Sequence, residues 1–112
     1  MLDVKVNQQG QVTIVAASGS IDPVTSKDLD NDLKGQLQQG RFKIVADFSQ
    51  VTYMSSAGFR VLLATLKECR AKGGDFVIAA PQKNIVQLLE MSGFTNFLKV
   101  YPSVSEAAAK LA

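Results

Sequence analysis

The chain has 112 residues, 46% of them hydrophobic and 20% charged, which is the size and composition of one soluble domain that can bury its own core. Its 12 basic and 10 acidic residues are spread along the chain and leave a net charge of +2, so no basic cluster predicts a nucleic-acid or anionic-membrane surface. With no histidine and a single cysteine, Cys69, the chain excludes an internal disulfide, a zinc site of the usual ligands, and Ser-His-Asp or Cys-His catalysis.

The first third of the chain predicts a hairpin and a helix. Residues 2–17 alternate between apolar and polar side chains on both sides of Gly10, which is typical of two strands joined by a short turn. Residues 18–40 predict a loop followed by a helix, with Asp22 as its N-cap and Gly40 at its C-terminal end. Three leucines recur every four residues along one face of that helix: Leu29, Leu33 and Leu37.

The middle of the chain predicts two buried strands around a second helix. Residues 41–49 form a nearly continuous apolar run, which is typical of a strand buried on both faces. Residues 57–72 follow the helical period, and Gly73 with Gly74 ends that helix. Residues 75–80 predict the next buried strand.

The C-terminal third predicts a helix, an edge strand and a final helix. The helix lies within residues 81–94, the strand at residues 97–101 and the last helix at residues 103–112. Ser103 and Glu106 have capping-box spacing at the start of the last helix.

These elements alternate as β-β-α-β-α-β-α-β-α, which predicts one α/β domain spanning residues 1–112. The N-terminal hairpin and the parallel strands together predict a mixed sheet packed with about four helices. No apolar segment follows a basic start, and no apolar run reaches about 18 residues, so we expect no signal peptide, no membrane span and a cytoplasmic protein.

Two adjacent serines, Ser55 and Ser56, stand where the third strand gives way to the second helix. The first N–H groups of a helix have no intrahelical partner and lie at the positive end of its macrodipole, so a phosphate is well accommodated there. Ala57 and Gly58 leave the approach to Ser56 open, as a kinase requires. A serine before a helix also serves simply as an N-cap, and the sequence leaves both interpretations open.

Nearby residues have weaker claims to a functional role. Ser20, Thr25 and Ser26 are expected to be exposed around Asp22, and Arg60 lies on a solvated helix face or close to a phosphate on Ser56. Three more residues are interpreted structurally. Asp47 is expected to end a buried strand, Met54 to enter the core, and Tyr53 to lie either in the core or on an exposed apolar rim.

Five short motifs, in this order and spacing, resemble the STAS domain family and, within it, the anti-sigma factor antagonists. They are GSID at residues 19–22, DFS at 47–49, YMSSAGF at 53–59, GG at 73–74 and LEMSGF at 89–94. The resemblance covers essentially the whole chain and departs from the family pattern at Ser55, where the family usually has aspartate.

The resemblance implies a phosphorylation switch rather than an enzyme. It assigns the phosphorylated serine to Ser56, with Ser55 as the runner-up. It names as partners an anti-sigma factor that is also a serine kinase of the GHKL ATPase type, and a metal-dependent serine phosphatase. The ATP and magnesium would belong to the kinase, so we expect no cofactor and no metal in this chain.

The expected partner surface follows from the same resemblance and from position around the serines. Its residues are Ser20, Asp22, Thr25, Ser55, Ser56, Ala57, Gly58 and Arg60. The serine in place of aspartate keeps an alternative open, namely a STAS scaffold or small-ligand sensor that is never phosphorylated. A small nucleotide-binding enzyme has little support, because neither G-x-x-x-x-G-K-[ST] nor G-x-G-x-x-G follows a strand.

Overall fold

A five-stranded sheet and four α-helices make up the computed structural model, which describes residues 2–112. The strands are β1 (Leu2–Gln9), β2 (Val12–Ile21), β3 (Lys43–Met54), β4 (Asp75–Ala79) and β5 (Val100–Tyr101). The helices are α1 (Thr25–Gln38), α2 (Ser56–Ala71), α3 (Lys83–Met91) and α4 (Val104–Leu111), and a 3-10 turn spans Phe94–Asn96. The predicted order of elements and the mixed sheet packed with four helices are confirmed.

The strands lie in the order β1-β2-β3-β4-β5, with β1 and β5 at the two edges. The predicted hairpin is confirmed: β1 and β2 pair antiparallel, and Gln9 lies opposite Val12. Gly10 begins the two-residue turn with a φ of 61°, a left-handed conformation that glycine adopts without strain. All remaining strand pairs are parallel, so their carboxyl ends meet at one edge of the sheet.

Helices cover both faces of the sheet, which explains the continuous apolar runs in β3 and β4. Ile44 and Phe76 belong to the core that also contains the buried side chains of α1, α2 and α3. Val45 and Val77 point to the other face and pack with α4. Successive strand residues point to opposite faces, so a strand covered on both sides needs an apolar side chain at every position.

Strands β2 and β3 are longer than the sequence pattern predicts. Residues 18–20 were expected in a loop but lie in β2, and β3 continues past residue 49 to Met54. Parallel pairing holds these segments together up to the pair of Ile21 and Met54, with two register shifts on the way. Asp47 therefore lies inside β3 rather than at its end, and its carboxylate accepts a hydrogen bond from the Ser49 N–H at 3.0 Å.

Two other boundaries differ from expectation. The strand expected at residues 97–101 is only Val100–Tyr101, because the residues before it follow a 3-10 turn. Helix α1 begins at Thr25, two residues later than the start that follows from Asp22 as the N-cap. No helix within residues 2–112 is long and apolar enough to cross a membrane.

Candidate functional site: the start of helix α2

Ser55 is the N-cap of α2, and its side chain is enclosed. Its backbone is extended, its hydroxyl oxygen accepts a hydrogen bond from the Gly58 N–H at 3.3 Å, and 7% of the residue is exposed. Its own N–H donates to the carbonyl oxygen of Ile21 at 2.8 Å. Ser55 therefore caps the first turn of α2 with its side chain and holds the start of the helix to the end of β2 with its backbone.

Ser56 is the first residue of α2 and is exposed. Within residues 2–112, no hydrogen bond involves its hydroxyl group, and the first turn of α2 contains no acidic residue. The positive end of the helix macrodipole and the free N–H groups of the first turn face the same solvent. The two serines, which the sequence could not separate, thus occupy opposite environments one residue apart.

Gly58 has a packing role: a glycine in the first helical turn suggests a close approach by another part of the chain, and here the neighbours are side chains rather than backbone. It is buried, and a Cβ atom there would lie 2.8 Å from Cγ2 of Ile21 and 3.0 Å from Cγ of Met54. The first turn of α2 therefore sits directly on the ends of β2 and β3. The interpretation of Gly58 as a residue that opens the approach to Ser56 is wrong, because the glycine faces the core and allows close packing.

Asp22 organises the turn between β2 and α1. One of its carboxylate oxygens, Oδ1, accepts hydrogen bonds from the N–H groups of Val24 and Thr25, each at 2.8 Å. The bond from Thr25, followed by that from Val24, lowers the pKa of the Asp22 carboxyl below its ordinary value. Its carbonyl oxygen also accepts a hydrogen bond from the Ser26 N–H at 2.9 Å. Asp22 therefore makes the bonds of an N-cap, as predicted, although the regular part of α1 begins only at Thr25.

The buried hydroxyl of Thr25 makes further hydrogen bonds to the backbone of this turn. It donates to the carbonyl oxygen of Ser20 at 2.7 Å and accepts from the Asp22 N–H at 2.9 Å. Thr25 and Ser26 are 7% and 3% exposed, so the expectation that both are exposed is wrong. Both hydroxyl groups donate to backbone carbonyl oxygens nearby, that of Thr25 to Ser20 and that of Ser26 to Pro23 at 3.1 Å.

Two exposed apolar side chains lie next to this turn and to the serines. Val24 is 74% exposed, and Tyr53 is 50% exposed at the end of β3, while Met54 is in the core as predicted. Sequence reasoning missed Val24, although it is an apolar residue in a turn and lies outside the leucine period of α1. Arg60 is exposed and forms no ion pair with a carboxylate of the described chain.

Helix α3 braces the strand that carries the serines, which the sequence did not indicate. The side-chain amide of Asn84 donates to the carbonyl oxygen of Thr52 at 2.9 Å, and that of Gln82 donates to Ser49 at 3.1 Å. Both residues lie at the start of α3, so two hydrogen bonds hold the last part of β3 to that helix, just before the serines.

The site consists of exposed surface rather than an enclosed pocket. A pocket of about 320 Å³ is lined by residues such as Gln8 and Lys72, and one of about 260 Å³ by residues such as Lys5 and Asp47, and neither includes the serines. No group of three or more acidic or cysteine side chains able to hold a metal ion occurs among residues 2–112.

Comparison with known protein families identifies the family of this chain. The STAS domain family model matches residues 3–107, and the chain belongs to this family. It is 30% identical over 96 residues to BtrV of Bordetella bronchiseptica, a protein named as an anti-sigma factor antagonist, and the match covers 86% of this chain and 83% of BtrV.

Two solved structures have the same fold. An anti-sigma factor antagonist from Mycobacterium paratuberculosis superposes with a TM-score of 0.91 and 22% identity, covering 99% of this chain and 94% of that one. The Bacillus cell fate determinant SpoIIAA in its phosphorylated form superposes with a TM-score of 0.76 and 16% identity, covering 98% of this chain and all of SpoIIAA (100%). The resemblance inferred from the motifs is confirmed at the level of the family and the fold.

Proposed function

We propose that this chain is an anti-sigma factor antagonist that is switched by phosphorylation of Ser56. Unphosphorylated, it binds an anti-sigma factor that is also a serine kinase of the GHKL type, and it releases that partner once phosphorylated. A metal-dependent serine phosphatase resets it. The observation that carries the proposal is the contrast between an exposed, unbonded Ser56 hydroxyl and a neighbouring Ser55 hydroxyl enclosed as the helix cap.

Geometry favours Ser56 over Ser55 as the phosphoacceptor. A phosphate on Ser55 would displace the hydrogen bond from the Gly58 N–H and would have to fit into a space that leaves the residue 7% exposed. A phosphate on Ser56 would remain in solvent beside the unpaired N–H groups of the first turn of α2. The positive end of the helix stabilises the added negative charge, so the fold tolerates the modification.

The replacement of the family's usual aspartate by Ser55 is compatible with this function. Serine and aspartate are both strong N-cap residues, because each offers an oxygen to the N–H groups of the first turn. Ser55 fills that position here. The substitution therefore keeps the cap while it removes one negative charge beside Ser56.

The partner surface is best assigned to the residues around Ser56 that solvent reaches: Arg60 is exposed, and Ser20, Asp22 and Ala57 are half-buried. We assign contacts to Ser20, Asp22, Ala57 and Arg60, and add the exposed side chains of Val24 and Tyr53. Thr25, Ser55 and Gly58 support this surface from behind, since all three are buried.

The switch acts through charge in an interface. A small, neutral surface at Ser56 can be desolvated against a partner, whereas a phosphoserine adds about −1.5 to −2 charges at neutral pH. Where the partner provides no cation, burying that charge costs several kcal/mol, and about 1.4 kcal/mol weakens binding tenfold. The complex therefore dissociates without a change of fold.

Peptide mass spectrometry tests the proposal directly. The protein is incubated with ATP, magnesium and each candidate kinase of the GHKL type from its own organism, and Ser56→Ala and Ser55→Ala variants are treated in parallel. We expect one phosphate on Ser56 in the wild type and in Ser55→Ala, and none in Ser56→Ala. Phosphate on Ser55 would correct the site. Tight partner binding that is the same for the wild type, Ser56→Ala and Ser56→Asp would instead favour the scaffold that is never phosphorylated.

A further inference from the structure

Strand β1 leaves one long edge of the sheet open. It spans eight residues, pairs only with β2, and has most of its side chains exposed. The opposite edge strand, β5, has two residues. An open edge of this length presents backbone N–H and C=O groups that can pair with another strand.

The hairpin turn determines which residues of β1 present those groups outward. Gln9 and Val12 flank the two-residue turn and face each other, which in a tight hairpin makes them a hydrogen-bonded pair. Hydrogen-bonded and non-bonded pairs alternate along an antiparallel ladder. The N–H and C=O groups of Leu2, Val4 and Val6 therefore point away from β2, towards the open edge.

The side chains of β1 are complementary to those of a second, antiparallel copy of β1. Leu2, Val4 and Val6 lie on the face that carries α1, and Val6 is 42% exposed. Asp3 and Lys5 lie on the other face, are exposed, and form no salt bridge with any residue of the described chain. Val4, whose backbone N–H and C=O point outward, lies between Asp3 and Lys5. If a two-fold axis passes through Val4, Asp3 of each copy lies opposite Lys5 of the other copy.

We propose that the chain self-associates through β1, with Val4 of each copy on the two-fold axis. In this register Asp3 faces Lys5 of the second copy and Leu2 faces Val6, so both faces of the new ladder match. Moving the axis by one residue in either direction puts Asp3 opposite Asp3 or Lys5 opposite Lys5, which is destabilising. The charges therefore select one register among those that the backbone allows.

The contact would join two sheets into one of ten strands. Its three hydrogen-bonded pairs, centred on Val4, supply about six backbone hydrogen bonds. The Asp3–Lys5 pairs fall at the non-hydrogen-bonded positions, where side chains lie closest together. The interface is smaller than the standard size of stable complexes, so we expect a concentration-dependent dimer.

This dimer leaves the proposed switch accessible. Antiparallel joining of the two β1 strands places the start of α2 of each copy at opposite ends of the joined sheet. Neither Ser56 lies at the edge, because β1 and β2 separate β3 from it. The inference does not rest on the proposed function, and Ser56→Asp is expected to leave dimerisation unchanged.

Sedimentation equilibrium with a charge-swap cycle tests the proposal and its register. The full chain is measured from about 10 µM to about 1 mM as wild type, Asp3→Lys, Lys5→Asp and the double variant carrying both changes. We expect each single variant to dimerise at least about tenfold more weakly, because two attractive contacts become repulsive, and the double variant to regain wild-type association. Lys67→Asp, on the exposed surface of α2, is the control for net charge.

Backbone hydrogen exchange provides a second measurement on the unmodified protein. With rising concentration, the amides of Val4 and Val6 should exchange more slowly, whereas those of Lys5 and Asn7, which pair with β2, should not change. A wild type that stays monomeric to about 1 mM, or a dimer that single charge reversals do not weaken, would overturn the proposal. A double variant that fails to recover association would overturn the register, and so the inference.

Discussion

The Ser55 N–H donates to the carbonyl oxygen of Ile21 at 2.8 Å and joins the ends of β3 and β2 one residue before the exposed Ser56. The turn held by Asp22 follows Ile21 directly, so this turn and the start of α2 form one surface supported by the same two strands. We therefore expect a partner that covers Ser56 to contact the Asp22 turn as well.

Gly58→Ala is expected to destabilise the protein although alanine favours helices. The new methyl group would meet Ile21 and Met54 at 2.8 and 3.0 Å, and overpacking of a core costs about 1–3 kcal/mol against a gain in helix propensity of up to about 1 kcal/mol. Gly35→Ala is the matched control, because nothing lies within 4 Å of a Cβ there. Urea unfolding should show a loss of free energy of unfolding for the first and a gain of about 0.5–1 kcal/mol for the second. An equal gain of stability in both variants would show that Ile21 and Met54 can move aside for a methyl group at position 58.

Ser55→Ala and Ser55→Asp separate capping from phosphorylation. Loss of the hydroxyl that accepts from Gly58 should cost about 1 kcal/mol of folding free energy, whereas aspartate should restore most of it. Both variants should still be phosphorylated on Ser56, because neither changes its exposure. Unfolding curves and peptide mass spectrometry give the two readouts. A Ser55→Asp protein as unstable as Ser55→Ala would show that the carboxylate does not fit the enclosed cap.

Much of the fold could be predicted from the sequence because the signals are local. The alternation in β1 and β2 and the leucine period of α1 depend on neighbouring residues, and both predicted elements are confirmed. Residues 18–20 are small and polar and have no strand pattern of their own. They are strand because β3 runs alongside them as far as the pair Ile21–Met54, which is a tertiary effect.

The site was predictable to the nearest pair of residues and no further. Ser55 and Ser56 have the same side chain, and their roles differ because the helix starts at Ser56. A shift of the helix start by one residue would exchange the cap and the exposed hydroxyl. Helix boundaries depend on packing such as that of Gly58 against Ile21, which no local pattern reveals.

Val24→Ser should weaken partner binding while it leaves stability unchanged. Val24 is 74% exposed, so its side chain contributes little to the core, but it would lose apolar contact in an interface. We expect about a tenfold loss of affinity for the anti-sigma partner, measured by calorimetry. Met91→Ser is the control, since Met91 is 84% exposed on α3, outside the surface assigned to the partner. Equal losses for both variants would contradict the assigned surface.

Cys69 should react with thiol reagents only after unfolding. The side chain is fully buried in the core, and burial, followed by the nearby Asp75 and Glu68 charges, raises the pKa of the thiol to about 12. The reactive thiolate is therefore scarce at neutral pH, and the reagent has no access. Labelling measured by intact mass across a urea series should follow the unfolding transition. Fast labelling in the native range would reveal local opening of α2.

Asp22 should make the stability of the protein depend on pH in the acid range. The hydrogen bonds from Thr25 and Val24 lower the carboxyl pKa below its ordinary value of 3.8, so the folded state favours the charged form. This contribution is fully present above the unfolded pKa and is lost as the pH falls below about 4, through the lower folded pKa. The turn beside Ser56 therefore weakens in acid.

Two variants isolate this contribution from the other carboxylates. Asp22→Asn keeps an oxygen that can accept from Val24 and Thr25 but does not titrate, so its stability relative to the wild type should rise as the pH falls from about 5 to about 3. Asp22→Ala lacks the acceptor and should be less stable than the wild type at neutral pH, with a difference that shrinks in acid. Urea unfolding followed by circular dichroism at several pH values measures both differences. If both stay constant over that range, the bonds to the Asp22 carboxylate do not stabilise the fold, because a group that stabilises only when charged must lose its contribution on protonation.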